Sequence, residues 1–264
     1  MRSVRMACGA LLVVGVFAAV AAAQGAPPTV AVTVGKGVIT PQPAGPIAAG
    51  PTRFEFTRTG KGDVEAILVT LRPGVSLDQL RKVAASDAAL GLIYIEAAAP
   101  LSDATPKRAL TVDLRANVTY VLVSMAGNSF AFTELATTET ANGAQAPAPD
   151  ATIRMVDYGF RGSATLPRNG VIRVSNQGDA FHFALAFPVR KNATNKRVGR
   201  ALRSGSEKAI GRVAAGQPVE VQDVISPQTT NDNEVKFSKA GRYALVCFFG
   251  EHNKLGMYRV VKVR

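Results

Sequence analysis

Residues 241–264 read GRYALVCFFGEHNKLGMYRVVKVR. An apolar strand ends at Cys247, His252 follows after four residues and Met257 after four more. Alternation resumes over Val260–Val263 as a last strand. A strand, a short loop and a return strand bring three donor side chains close together. Thiolate, imidazole and thioether are soft to borderline donors. With a second imidazole they form the set that selects copper for electron transfer. The chain has two histidines in all. The other, His182, lies on an alternating strand that a β-sandwich can set beside the Cys247 strand. Taken singly, each donor has an ordinary explanation: a buried strand cysteine, a loop histidine, a core methionine, a satisfied core histidine. The four together, with no spare histidine, point to one metal site.

Outward from this stretch, the chain repeats itself. Ala49–Leu71 and Leu166–Phe187 each show an alternating strand, a Gly-containing turn and a second alternating strand, which predicts a hairpin in each half. Placing Gly60 on Gly178 sets Val64 against His182. Asn117–Ser124 (NVTYVLVS) matches Gly241–Cys247 (GRYALVC), with Tyr120 on Tyr243 and Ser124 on Cys247. Simple extension puts Ser129 at the His252 position and Glu134 at the Met257 position, so the first half lacks every donor. Each half also carries a helical insert. One starts at Ser76 with a Ser76–Gln79 capping box; the other spans Lys196–Arg203 and is closed by Gly205. Val219–Val224 and Val235–Phe237 read as further strands.

Arg2 and Arg5 precede an apolar, small-residue run, Met6–Ala23, that ends Ala21-Ala22-Ala23. This is the pattern of a cleavable export signal over residues 1–23, with an uncleaved anchor as the alternative. Cys8 falls inside it, so the exported chain keeps Cys247 alone and no internal disulfide. Residues 24–48 are expected to be a flexible start or edge strand, 49–136 the first domain, 137–150 a linker and 151–264 the second domain. There is no Trp, and Gly (24) and Pro (15) are frequent, which suits short strands and turns.

The 151–264 region resembles the cupredoxins, the blue (type 1) copper proteins. Their pattern is an early His followed by Cys, His and Met on the loop before the last strand, here His182, Cys247, His252 and Met257. Gly241, Tyr243 and the Gly256-Met257 pair also fit. The resemblance implies an all-β chain of two cupredoxin-like Greek-key sandwiches, each with a short helical insert, behind the signal peptide. It implies one copper ion in the second domain and a protein that transfers electrons or carries copper; the missing donors imply none in the first, and the signal peptide a periplasmic or secreted location. Two departures stand out. Phe183 follows His182 where many members have Asn, and Phe249-Gly250-Glu251 fills a loop where many have Pro.

The net charge of +12 favours acidic partners. Lys196, Arg197, Arg200 and Arg203 are the candidate docking residues for an acidic redox partner; a merely solvated helix face would show the same pattern. The alternative function is a metal-free tandem sandwich module that binds an acidic partner or surface. No nucleic-acid motif appears, and no membrane span remains once the signal is removed. No nucleophile motif surrounds either histidine, and two histidines cannot furnish a second copper site, so no enzyme is expected. Zinc fits less well than copper because thioether is a poor zinc ligand.

Overall fold

The computed structural model describes residues 25–264; the expected signal peptide, 1–23, lies outside them. The described chain is all-β apart from short helices. The first half contains β1 (Thr29–Gly35), β2 (Val38–Gln42), β3 (Ile47–Arg58), β4 (Val64–Leu71), β5 (Ile93–Leu101), β6 (Lys107–Leu114), β7 (Thr119–Ala126) and β8 (Ser129–Ala141), with helix α1 (Leu77–Val83) after β4. One sheet runs β2-β1-β3-β6 and the facing one β8-β7-β4-β5. Alternation puts Val30, Val32, Val34, Phe54 and Phe56 of the first sheet against Ala66, Leu68, Tyr120 and Leu122 of the second, all buried. Each large side chain so buried contributes roughly 1.5–3 kcal/mol.

The second half repeats the plan. Its strands are β9 (Ala151–Val156), β10 (Gly159–Gly162), β11 (Thr165–Leu166), β12 (Asn169–Asn176), β13 (His182–Pro188), β14 (Val219–Ile225), β15 (Thr230–Lys236), β16 (Gly241–Val246) and β17 (Tyr258–Val263). Helices α2 (Asn195–Ser204) and α3 (Glu207–Gly211) follow β13, and α4 (His252–Leu255) precedes β17. Sheet β10-β9-β12-β15 faces β11-β17-β16-β13-β14. The two halves share a strand register. Ile67 pairs with Val123 and Ala66 with Ser124 in the first; Leu185 pairs with Val246 in the second, so Cys247 is the next residue beyond Val246 as Ser124 is beyond Val123. Both helix caps form as expected. Ser76 and Gln79 close the reciprocal box, and Gly205 ends α2 in the left-handed conformation.

Three expectations are corrected. Neither Ala49–Leu71 nor Leu166–Phe187 is a hairpin. β3 pairs with β1, β6 and β8 but not with β4, and β12 pairs with β9 and β15 but not with β13. Each Gly turn carries the chain across the core to the opposite sheet, because both strands of each pair bury one alternating face against the other. Residues 25–48 are not a flexible start: β2 is an edge strand, paired only with β1, and β1 lies between β2 and β3 with its valines in the core. The expected linker 137–150 begins as strand, since Thr137 and Ala141 of β8 pair with Ile47 and Ala49.

The halves meet through counterpart strands. β15 pairs antiparallel with β6, Asn233 on Leu110 and Asn231 on Val112, making one sheet continuous through both. Beside this join, Ile95 N–H donates to Ser226 Oγ (2.7 Å) and Ser226 N–H to Ile95 O (3.0 Å). The seam also gathers Glu65 from β4 and Glu220 and Asp223 from β14, with Arg108 of β6 placing a guanidinium nitrogen 3.2 Å from Glu220. Burial, then the neighbouring Asp223, pushes Glu65 up to about 8. The same two causes push Glu220 up to about 8 against the opposing pull of Arg108.

Candidate metal centre

His182, Cys247 and His252 converge. One ligand atom from each lies within 4.8 Å of the others, and all three side chains are buried. Nδ1 of His182 is 3.1 Å from Nδ1 of His252, and Cys247 Sγ is 3.7 Å from the latter. Each comes from a different place in one layer. His182 opens β13, Cys247 follows β16, and His252 opens α4. The shared β13–β16 pairing brings the first two together. The loop brings the third: Gly250 and Glu251, both with positive φ, fold Phe249–Glu251 into a tight turn that returns His252 under Cys247.

Met257 ends the loop. It is fully buried in the same core as Cys247, its carbonyl accepts Cys247 N–H (3.2 Å), and its own N–H donates to His252 O (3.0 Å). These bonds close the loop and hold Cys247 and Met257 side by side on the backbone. Glu251, next to His252, pairs with Lys254 instead of facing the donors. The backbone amides of Phe183 and Phe249 favour the Cys247 thiolate.

Burial lowers the basicity of both imidazoles. Asp157 opposes this at His182, while at His252 the neighbouring His182 adds to it. Neutral imidazole is the metal-binding form. Burial raises the Cys247 thiol, with the two backbone donors pulling the other way. Two buried imidazoles and a buried sulfur, with a thioether carried on the same loop, make a donor set that fits copper.

Sequence reasoning missed two residues here. Asp157 and Tyr158 form the turn between β9 and β10 and sit directly on the site. Asp157 Oδ1 is 3.2 Å from His182 Nε2, and the Tyr158 ring meets His252 edge-on at 5.3 Å. Nothing local in the sequence marks them, since they lie far from the ligands along the chain.

The first half has the scaffold only. Val64 is core, and Ser124 donates to Gly35 O (2.6 Å). Simple extension fails for the remaining positions. Ala126 pairs directly with Ser129 across a tight turn, and Glu134 lies mid-strand opposite Val121. There is no loop to bear ligands.

The four residues expected to dock a partner lie on α2. Lys196, Arg197, Arg200 and Arg203 are exposed, while Val198, Gly199, Ala201 and Leu202 are buried beneath them. Asn253 of the ligand loop donates to Leu202 O (2.6 Å), so this helix is tied to the metal loop. Arg203 is partly engaged by Tyr258. Among the described residues, no helix is long and apolar enough to cross a membrane.

No protein-family model and no curated protein matches the chain. Solved structures do. Auracyanin B is 16% identical over 46% of this chain and 93% of its own, with a TM-score of 0.29. Auracyanin A, described as a "blue" copper protein from Chloroflexus aurantiacus, is 17% identical over 43% and 96%, with a TM-score of 0.28. A copper nitrite reductase from Nitrosomonas europaea is 9% identical over 89% and 93%, with a TM-score of 0.27. At TM-scores this low, the metal centre stands on its own geometry.

Proposed function

We propose that the second domain is an exported mononuclear copper carrier that passes single electrons or delivers the ion. The observation that carries this reading is the buried convergence of His182, Cys247 and His252 within 4.8 Å. His182 and His252 would hold the ion through Nδ1, Cys247 through its thiolate, and Met257 would supply a weaker thioether. Copper bound there would supply a one-electron couple. The protein's part is to keep the donors in place and water out. His182 is anchored at its far nitrogen by Asp157, and the loop by its return bonds to β16. Such a fixed set changes little between oxidation states, which keeps the reorganisation on electron transfer small.

Export is supported by the leader pattern. The cationic face of α2, fastened to the ligand loop through Asn253, supports an acidic redox partner docking beside the site. Its association should weaken with salt and with Arg197→Glu plus Arg200→Glu.

The test is the visible spectrum of the purified chain on titration with Cu(II). One equivalent should bind and produce an intense thiolate-to-copper band. A chain that binds no copper, or whose binding is the same in Cys247→Ser, refutes the reading.

A further inference from the structure

The β9–β10 turn breaks the symmetry between the halves in a way the metal ligands alone do not explain. In the first half the same hairpin closes with Gly35 opposite Val38, leaving Lys36-Gly37 as the turn. In the second, Val156 faces Gly159 and Asp157-Tyr158 is the turn. The two are counterparts, because Val32 pairs with Phe56 as Ile153 pairs with Val174. The second turn position has φ 69° at Gly37 and φ 60° at Tyr158. Glycine adopts that left-handed conformation freely, and a side chain such as tyrosine adopts it at a cost. The repeat carrying the ligands therefore holds a bulky residue where its twin has the residue the backbone prefers.

What the strained residue gains is contact with the site. The Tyr158 ring packs edge-on against His252, while 47% of the residue stays exposed, so it forms a wall between that imidazole and solvent. The preceding residue makes the other contact. The Asp157 carboxylate accepts the N–H of Asp179 at 3.0 Å and faces His182 Nε2 at 3.2 Å. A carboxylate only accepts, so it places the imidazole proton on Nε2 and leaves the Nδ1 lone pair directed at His252 and Cys247. Gly178 shows that the close approach is built in. A Cβ at that position would collide with both Asp157 Oδ1 and His182 Nε2.

We propose that the Asp157-Tyr158 turn is a positioning element of the metal centre: Asp157 sets the tautomer of His182, and Tyr158 closes the solvent edge of His252. Its purpose rests on the copper reading, but both halves of it are measurable on the metal-free chain. Nitrogen NMR of the full chain without metal should find His182 protonated on Nε2. Asp157→Ala should lose that preference, and Asp157→Asn, which keeps an acceptor oxygen, should restore it. With copper added, Asp157→Ala should bind about 10–100-fold more weakly. Tyr158→Gly gives the turn its twin's residue. The melting midpoint should hold or rise, by roughly 2–4 °C at most. Acylation of His252 by diethyl pyrocarbonate should become several-fold faster.

An Nδ1-protonated His182, or a tautomer indifferent to Asp157→Ala, overturns the role of Asp157. An unchanged acylation rate, or one that rises only with a fallen midpoint, overturns the role of Tyr158. A chain that shows these apo signatures but takes up no copper leaves the positioning role standing and removes the copper reading.

Discussion

The ends of β7 and β16 are the same place in two copies of one fold, and they differ in what comes next. After Ser124 the chain turns at once, Ala126 against Ser129, and pairs straight back as β8. After Cys247 it leaves the sheet, turns through Phe249–Glu251 and α4, and rejoins only at Tyr258. The strand registers before the divergence are alike. A sandwich strand offers one inward donor at its end. A loop is needed to bring others back to the same point. The absence of a site in the first half is thus a matter of loop as much as of ligand identity, and Ser124 donates to the Gly35 carbonyl instead.

The sharpest way to break this contrast is to give the second half the first half's residue. Cys247→Ser should abolish the thiolate-to-copper band and lower copper affinity by orders of magnitude, because hydroxyl is a poor donor for this ion. Calorimetric titration against the parent chain reads it directly.

The seam where the halves meet should respond to pH. Glu65 and Glu220 have folded values of about 8, above their ordinary carboxylate value, so the folded chain binds more protons than the unfolded one in between. Their contribution is full below about pH 4.5 and is lost as pH rises through about 8. The melting midpoint should fall by several degrees across that window, and the fall should shrink in Glu65→Gln. A profile unchanged by that substitution would show that the seam carboxylates are solvated.

The reverse exchange should have a smaller effect. Ser124→Cys should leave copper stoichiometry at one ion per chain, since no loop brings partners to it. It removes the bond to Gly35 O and should cost about 1–2 kcal/mol in urea unfolding. A second equivalent of copper would show that the loop is dispensable.

The shared part of the scaffold should give the smallest and most equal effects. Tyr120 OH accepts Arg115 N–H at 2.8 Å, and Tyr243 OH donates to Lys239 O at 2.9 Å, each tying its strand to the chain just before it. Tyr120→Phe and Tyr243→Phe should each cost about 1 kcal/mol. A clear inequality between them in chemical denaturation would mean that the two copies do not use this corner alike.

Much of this was legible locally. Alternation marked most strands, and the Ser76 box and Gly205 cap marked two helices, because those signals lie within a few residues of the structure they specify. His182, Cys247, His252 and Met257 were readable as a donor set from residue type, order and scarcity. The hairpin reading failed because alternation shows that a strand has a buried face but not which strand it pairs with. At Gly60 and Gly178 the chain crosses between sheets where a hairpin would have turned within one.

The sequence by itself determined an all-β duplicated chain with one set of soft donors in its second half. Only the tertiary structure decided that the halves join through β6 and β15, that β1 is core, and that Asp157 and Tyr158 belong to the site. The physical reason is distance along the chain. Asp157 meets His182 and Tyr158 meets His252 only because β9 packs at the end of the sandwich where the ligand loop folds back. No periodicity or spacing carries that.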